Sequence, residues 1–134
     1  MASELRVNTL KDASGNNSVA TSTVAEGTAK VWINMNGTGT PAARDSFNVA
    51  SITDNGTGDQ TVNYTNSFGT VNYAVVNYTA YQGTGQIHNN RMTGSSNKAT
   101  GSIRVAVGYV SATDGSLGAE DVGETNYANW GDLA

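Results

Sequence analysis

The sequence predicts an all-β chain: an antiparallel β-sandwich, jelly-roll-like in outline, with a short N-terminal arm. Composition is the first reason. Gly, Asn, Thr and Ser occupy 61 of the 134 positions. Gly loses backbone entropy in a helix, Asn and Ser compete for its backbone hydrogen bonds, and Thr is stiff at χ1. Thr suits strands, while Gly, Asn and Ser suit the turns between them. Period is the second reason: seven or eight short runs alternate apolar and polar residues, and turn residues separate them. No run carries the 3.6-residue apolar repeat over a helix length.

Along the chain, residues 5–10 alternate as a short strand, and 11–18 (KDASGNNS) are a turn cluster. Residues 19–28 are small and polar without periodicity, so 1–28 are read as an arm and 29–134 as the main domain. A strand at 30–35 places Val31, Ile33 and Met35 on one face and Trp32 on the other. The run GTGTP at 37–41 breaks it at Pro41, the one proline. Phe47 and Val49 are expected to share one face of the next strand, which ends at Ile52. Asn55-Gly56 between two strand patterns is the strongest short-range hairpin signal, and the return strand at 60–65 points Val62 and Tyr64 inward.

Residues 73–81 read as the longest strand, buried on both faces at its start. A weaker strand is expected at 86–92. The clearest of all is 102–110, with Ile103, Val105, Val107 and Tyr109 on one face. A last short strand is expected within 126–133.

Charge and cysteine content exclude several function classes. The formal net charge is −4 and the seven Lys and Arg are scattered. Nucleic-acid binding needs a concentrated basic footprint, so neither nucleic acid nor an acidic membrane surface is an expected partner. There is no cysteine, hence no disulfide framework, thiolate zinc site or Cys nucleophile. The first residues lack the charged and apolar regions of a signal peptide, and no apolar run is long enough for membrane insertion. The expectation is synthesis in a cytoplasm without export, and the Asn-x-Ser/Thr triplets are read as products of composition.

Candidate chemistry is thin. His88 is the one histidine; alone it builds no Ser–His–Asp relay, and its metal reading needs three copies around a threefold axis, against a plain polar strand residue. Asp54 and Asp59, and the later Asp114, Glu120, Asp121 and Glu124, do not follow the EF-hand spacing and are read as solvated turn and tail acids. No catalytic, metal or cofactor site is assigned. Trp32, Tyr73 and Tyr109 are expected to pack in the core or an interface. Tyr78, Tyr81, His88, Asn89, Asn90 and Arg91 are the candidate receptor contacts, because exposed Tyr beside amides suits carbohydrate or protein contact. Leu5, Val7 and Leu10 are the candidate attachment residues of the arm. Oligomerisation is expected because three Lys and one Pro are too few to blunt the open strand edges.

Several segments resemble a known class of protein. VNTLKDASGNN at 7–17 is similar to a strand-and-turn motif heading many phage fibre proteins. AKVWINMNGTGT at 29–40, FNVASITDNGTGD at 47–59, VNYT at 62–65 and NYAVV at 72–76 resemble tail-fibre-like virion structural proteins of marine and cyanobacterial tailed bacteriophages. The resemblance covers roughly residues 5–80. It implies a homotrimer with a β-sandwich knob and an N-terminal segment docked on the particle. The expected function is a small, non-enzymatic fibre or receptor-binding knob on a tail or baseplate, attaching to a host surface glycan or protein. The expected location is the virion surface. The alternative is a capsid decoration or head-fibre protein that stabilises the capsid through its arm.

Overall fold

The computed structural model describes residues 3–80, the backbone of 86–91, and residues 97–134. The chain order is β1 (Thr9–Lys11), β2 (Ser18–Ala20), α1 (Thr21–Gly27), β3 (Val31–Asn36), β4 (Ala42–Phe47), β5 (Val49–Gly56) and β6 (Asp59–Tyr64). It continues through β7 (Ala74–Thr79), β8 (Gln86–Arg91), β9 (Lys98–Ala99), β10 (Ser102–Ser111), β11 (Leu117–Ala119) and β12 (Thr125–Trp130). Strands take 53% of the described residues and helix 7%, so the class is all-β. Every strand pair is antiparallel.

Two sheets make the body. One has the order β4-β3-β12-β7. The other is built on β10, which pairs β6 and then β11 along one edge and β9 and then β8 along the opposite edge; β5 lies outside β6. Alternation decides what each sheet buries. Val31, Ile33 and Met35 of β3 and Tyr127 of β12 join one core with Val62 and Tyr64 of β6 and Ile103 and Val105 of β10. Phe68 and Tyr73, from the segment between β6 and β7, complete it. Phe68 stacks on Tyr73 at 4.2 Å between ring centroids, and Tyr64 meets both edge-on.

A chain of hydrogen bonds crosses this core. Asn129 Nδ2 donates to the Tyr64 hydroxyl at 2.8 Å, and that hydroxyl donates to the Tyr73 hydroxyl at 3.3 Å. The Tyr73 hydroxyl in turn donates, in one shared bond, to the carbonyls of Ser102 and Ala99, at 3.0 and 3.2 Å. Burial pushes the Tyr64 and Tyr127 hydroxyls up from the ordinary phenol range, so both stay protonated. The Tyr127 hydroxyl differs in finding no partner among the described residues.

Two backbone devices set the topology. β4 belongs to the four-stranded sheet and β5 to the other, with only Asn48 between them. Asn48 takes φ +60°, the left-handed region that Asn tolerates better than most residues. Its Nδ2 donates to the carbonyls of Lys30 and Asn66, and its Oδ1 accepts from the Asn66 backbone N–H at 2.7 Å. The expected single strand carrying Phe47 and Val49 on one face is therefore corrected: a sheet-switching corner separates them. The second device is Gly58, at φ +64°, where a Cβ would stand 2.3 Å from the Val107 carbonyl oxygen.

Other expectations are met or corrected element by element. The inward sets of β3, β6 and β10 agree with the structure; the hairpin expected at Asn55-Gly56 forms, but its turn falls on Thr57-Gly58, and Asn55 and Gly56 end β5. β7 is shorter than expected and alternates strictly, with Ala74, Val76 and Tyr78 exposed; the longest strand is β10. Residues 18–27, expected to lack regular structure, form β2 and α1. Among the described residues no helix is long and apolar enough to cross a membrane.

The buried polar chain gives a paired test in denaturant titration. Tyr64→Phe leaves the Asn129 amide and the Tyr73 hydroxyl short of a partner and loses about 1–3 kcal/mol, whereas Tyr127→Phe removes an unpaired buried hydroxyl and is neutral or stabilising. Equal losses would contradict the network. Gly58→Ala combines left-handed strain with the clash on Val107 and is expected to lose more than about 2 kcal/mol by the same measurement; a loss under 0.5 kcal/mol, roughly the ordinary surface effect, would refute it.

Candidate functional site

The outer face of the four-stranded sheet is the candidate site, and alternation builds it. Because β3 buries Val31, Ile33 and Met35, it presents Trp32 and Asn34 outward. Because β12 buries Thr125, Tyr127 and Asn129, it presents Asn126, Ala128 and Trp130 outward. β7 adds Val76 and Tyr78, which are 61% and 63% exposed. The pairing register then lines residues up across strands. Phe47, Trp32, Ala128 and Val76 form one row, and Asp45, Asn34, Asn126 and Tyr78 the next.

The two rows differ in chemistry. The first is apolar, with Trp32 and Phe47 37% and 52% exposed. The second is a fixed polar network. Asn34 Nδ2 donates to Asn126 Oδ1 at 2.8 Å, and Asn126 Nδ2 donates to Glu124 Oε1 at 2.9 Å. Arg44 reaches over to donate to Asn34 Oδ1 and to the Gly123 carbonyl. A shallow groove of about 320 Å³ runs over both rows, lined by Trp32, Asn34, Val76, Tyr78, Asn126 and Ala128 among others. Aromatic and aliphatic side chains form its floor and held amides one wall.

The expected receptor contacts are not one loop. Tyr78 lies on β7 opposite Asn126. His88, Asn89, Asn90 and Arg91 lie on β8, which pairs β10 in the other sheet; their side chains and Tyr81 fall outside the described residues. Tyr73 packs in the core as expected, and Tyr109 is half-buried with its ring against Gly118. Trp32 faces outward, opposite Val31, Ile33 and Met35, so of the two expected settings it does not take the core. Alternation against Val31, Ile33 and Met35 signals that orientation, but only the register reveals Phe47, Ala128 and Val76 beside it.

The arm is a second exposed feature. β1 and β2 form a hairpin whose turn is closed by Asp12, which accepts from the Asn16 N–H and Asn17 Nδ2. The Thr21 hydroxyl, at the start of α1, donates to the carbonyls of Val7 and Asn8. Lys30 Nζ and Trp130 Nε1 donate to the carbonyls of Ala25 and Gly27, which ties the helix to the body. Residues 3–26 bury no side chain, and Leu5, Val7, Leu10, Val19 and Val24 are all exposed.

The carboxylates serve local structure. Asp59 forms a two-point pair with Arg104, and Asp121 accepts from the Gly58 N–H at 2.6 Å. Asp54 and Asp114 accept from backbone N–H groups of their own turns, those of Gly56 and Ser116. Among the described residues no group of three or more His, Cys, Asp or Glu could hold a metal ion. Comparison with family models, with curated proteins and with solved structures finds no match to this chain.

Hydrogen bonding from Arg104 lowers the Asp59 pKa, and the Ser116 N–H holds Asp114 at about 2. For both, the folded value lies below the unfolded one near 3.9. Their stabilising effect is therefore complete above about pH 5 and lost as pH falls towards 2. Carboxyl NMR titration should find Asp114 protonating near pH 2 and Asp59 below the ordinary aspartate value. Arg104→Gln should return Asp59 towards that value; an Asp59 titration unchanged by the substitution would refute the pairing.

Proposed function

We propose that the protein is a non-enzymatic structural protein of a virion surface, a small trimeric fibre or receptor-binding knob that attaches to a host surface. The body is read as a β-sandwich of jelly-roll-like form, since side chains of both sheets share one core. The arm is read as the element that docks on the particle and joins the copies.

The observation that carries this reading is the exposed arm. It holds a hairpin and a helix behind a short extended lead, and five large apolar side chains along it, Leu5, Val7, Leu10, Val19 and Val24, are left in water by its own chain. Exposed apolar clusters mark contact surfaces, and a partner that binds only the folded arm would stabilise it by mass action. Assembly also suits the function: three weak sites on one rigid trimer gain avidity through effective concentration. The resemblance of residues 5–80 to tail-fibre-like proteins supports the virion setting.

Light scattering of the purified chain tests the assembly. The expected result is three times the chain mass, with Leu5→Asp/Leu10→Asp falling to the monomer while its circular dichroism stays that of a β protein. A wild-type monomer, or a trimer indifferent to the double substitution, would refute it. Antibody labelling of intact particles then separates locations. A few trimers at the tail support a fibre, capsid-scale stoichiometry supports decoration, and absence from particles refutes the virion role.

A further inference from the structure

We infer that the outer groove of the four-stranded sheet binds a neutral carbohydrate, with a sugar ring seated against Trp32 and its hydroxyls met by Asn126, Asn34 and Tyr78. The inference deepens the attachment reading and rests on it: it names the surface and the ligand class.

The chemistry of the two rows matches the two aspects of a sugar. A pyranose presents C–H groups on its ring faces and hydroxyls around its rim. Within the groove Trp32, Ala128 and Val76 give an apolar floor with the aromatic at one end, and amphipathic aromatic rings are suited to such contact. The row Asn34–Asn126–Tyr78 lies two residues further along each strand, a separation of about 7 Å, so one ligand can touch both. Asn34 Nδ2 is already engaged by Asn126 and Glu124, so Asn34 meets a hydroxyl only as an acceptor, through Oδ1. Asn126 Nδ2 carries two protons, and Glu124 takes one, which leaves one directed donor.

Preorganisation strengthens the case. Asn34, Asn126, Glu124 and Arg44 hold one another by hydrogen bonds before any ligand arrives, so little side-chain entropy is lost on binding. The charge pattern selects the ligand. None of the lining residues is charged, which disfavours an anionic sugar or a charged peptide. Size narrows it further: about 320 Å³ is at the small end of ligand sites, room for one or two sugar rings.

A second copy of the chain is the competing occupant. Interface cores between copies are depleted of charged residues, yet the polar row here ends in Asp45 and is held by Glu124 and Arg44. The arm already supplies apolar surface for assembly. The groove is therefore assigned to a ligand with hydroxyls.

The test uses the full chain and tryptophan emission, with glucose, galactose, mannose, N-acetylglucosamine and their β-linked disaccharides as probes and sialyllactose as the anionic comparison. Trp130→Phe leaves Trp32 as the sole tryptophan. At least one neutral sugar should shift that emission saturably in the millimolar range. Trp32→Ala, read by calorimetry, should weaken binding tenfold or more, and Asn126→Ala about fivefold, matching the net worth of one hydrogen bond. Circular dichroism checks folding, and Trp32→Phe, which keeps an aromatic floor, should retain part of the affinity. Undiminished affinity in Trp32→Ala, a response to sialyllactose alone, or no response to any probe overturns the inference. So does a Trp32→Ala protein that changes oligomeric mass but not sugar affinity. If no sugar binds and the chain is a particle-borne trimer, the groove assignment fails and the attachment role stands. If sugar binds a monomer absent from particles, the role fails and the groove assignment stands.

Discussion

The body depends on a polar seam through a largely apolar core, in which Gln60 and Thr125 are also buried. Asn129 lies on β12 in one sheet, Tyr64 on β6 in the other, Tyr73 at the entrance to β7, and Ser102 and Ala99 on the β10 side. The hydrogen bonds thus pass from one sheet to the other, back, and across again. A core of Val, Ile and Met tolerates sliding, because apolar contact has no direction. Hydroxyl and amide bonds do have direction, and leaving one unmade in a dry interior is costly. The seam therefore selects one registration of the two sheets among many that bury similar apolar area.

Fixing the sheets in this way fixes the corner at Asn48. Its side chain bonds to Lys30, at the entrance to β3, and to Asn66, just after β6, so it ties together the ends of two strands from different sheets. The chain crosses between sheets in a single residue only because Asn accepts a positive φ and supplies the missing backbone partners. Gly58 has a similar role at the far end of β6, where the backbones of β10 and the segment after β11 press against it.

Much of this was legible in the sequence, and what was not follows from the range of the interactions. Period two placed Val31, Ile33, Met35, Val62, Tyr64, Ile103 and Val105 inward, because alternation is a local property of the strand. The hairpin joining β5 and β6 was legible too, although its turn falls on Thr57-Gly58, two residues past the Asn-Gly pair that signalled it. The break between Phe47 and Val49 was not: Asn48 lacks a glycine's signal, and its left-handed conformation is sustained by residues distant in sequence. α1 escaped notice because seven residues without a buried face have no periodicity to read. The groove escaped because cross-strand rows depend on register, which one strand cannot disclose about another. Trp32 is the sharpest case. Its direction was readable, but a tryptophan opposite an aliphatic stripe is ordinarily expected to find cover, and only the neighbouring strands reveal that it does not.

The groove and the core are consequences of one alternation seen from its two sides. Every residue of β3 and β12 pointed inward by the core forces its neighbours outward, so the seam that orders the sheets also sets the outer rows in register. A shift of one residue in the β3–β12 pairing would put Asn34 opposite a different partner and dissolve both the Asn129–Tyr64 bond and the Asn34–Asn126 bond. The outer face is thus as rigid as the core beneath it, although it is largely in water. Rigidity of that kind is what a weak-binding surface needs, since a ligand of one or two rings makes too few contacts to order flexible side chains and still bind. A loop could present the same residues, but it would have to be ordered anew at each encounter.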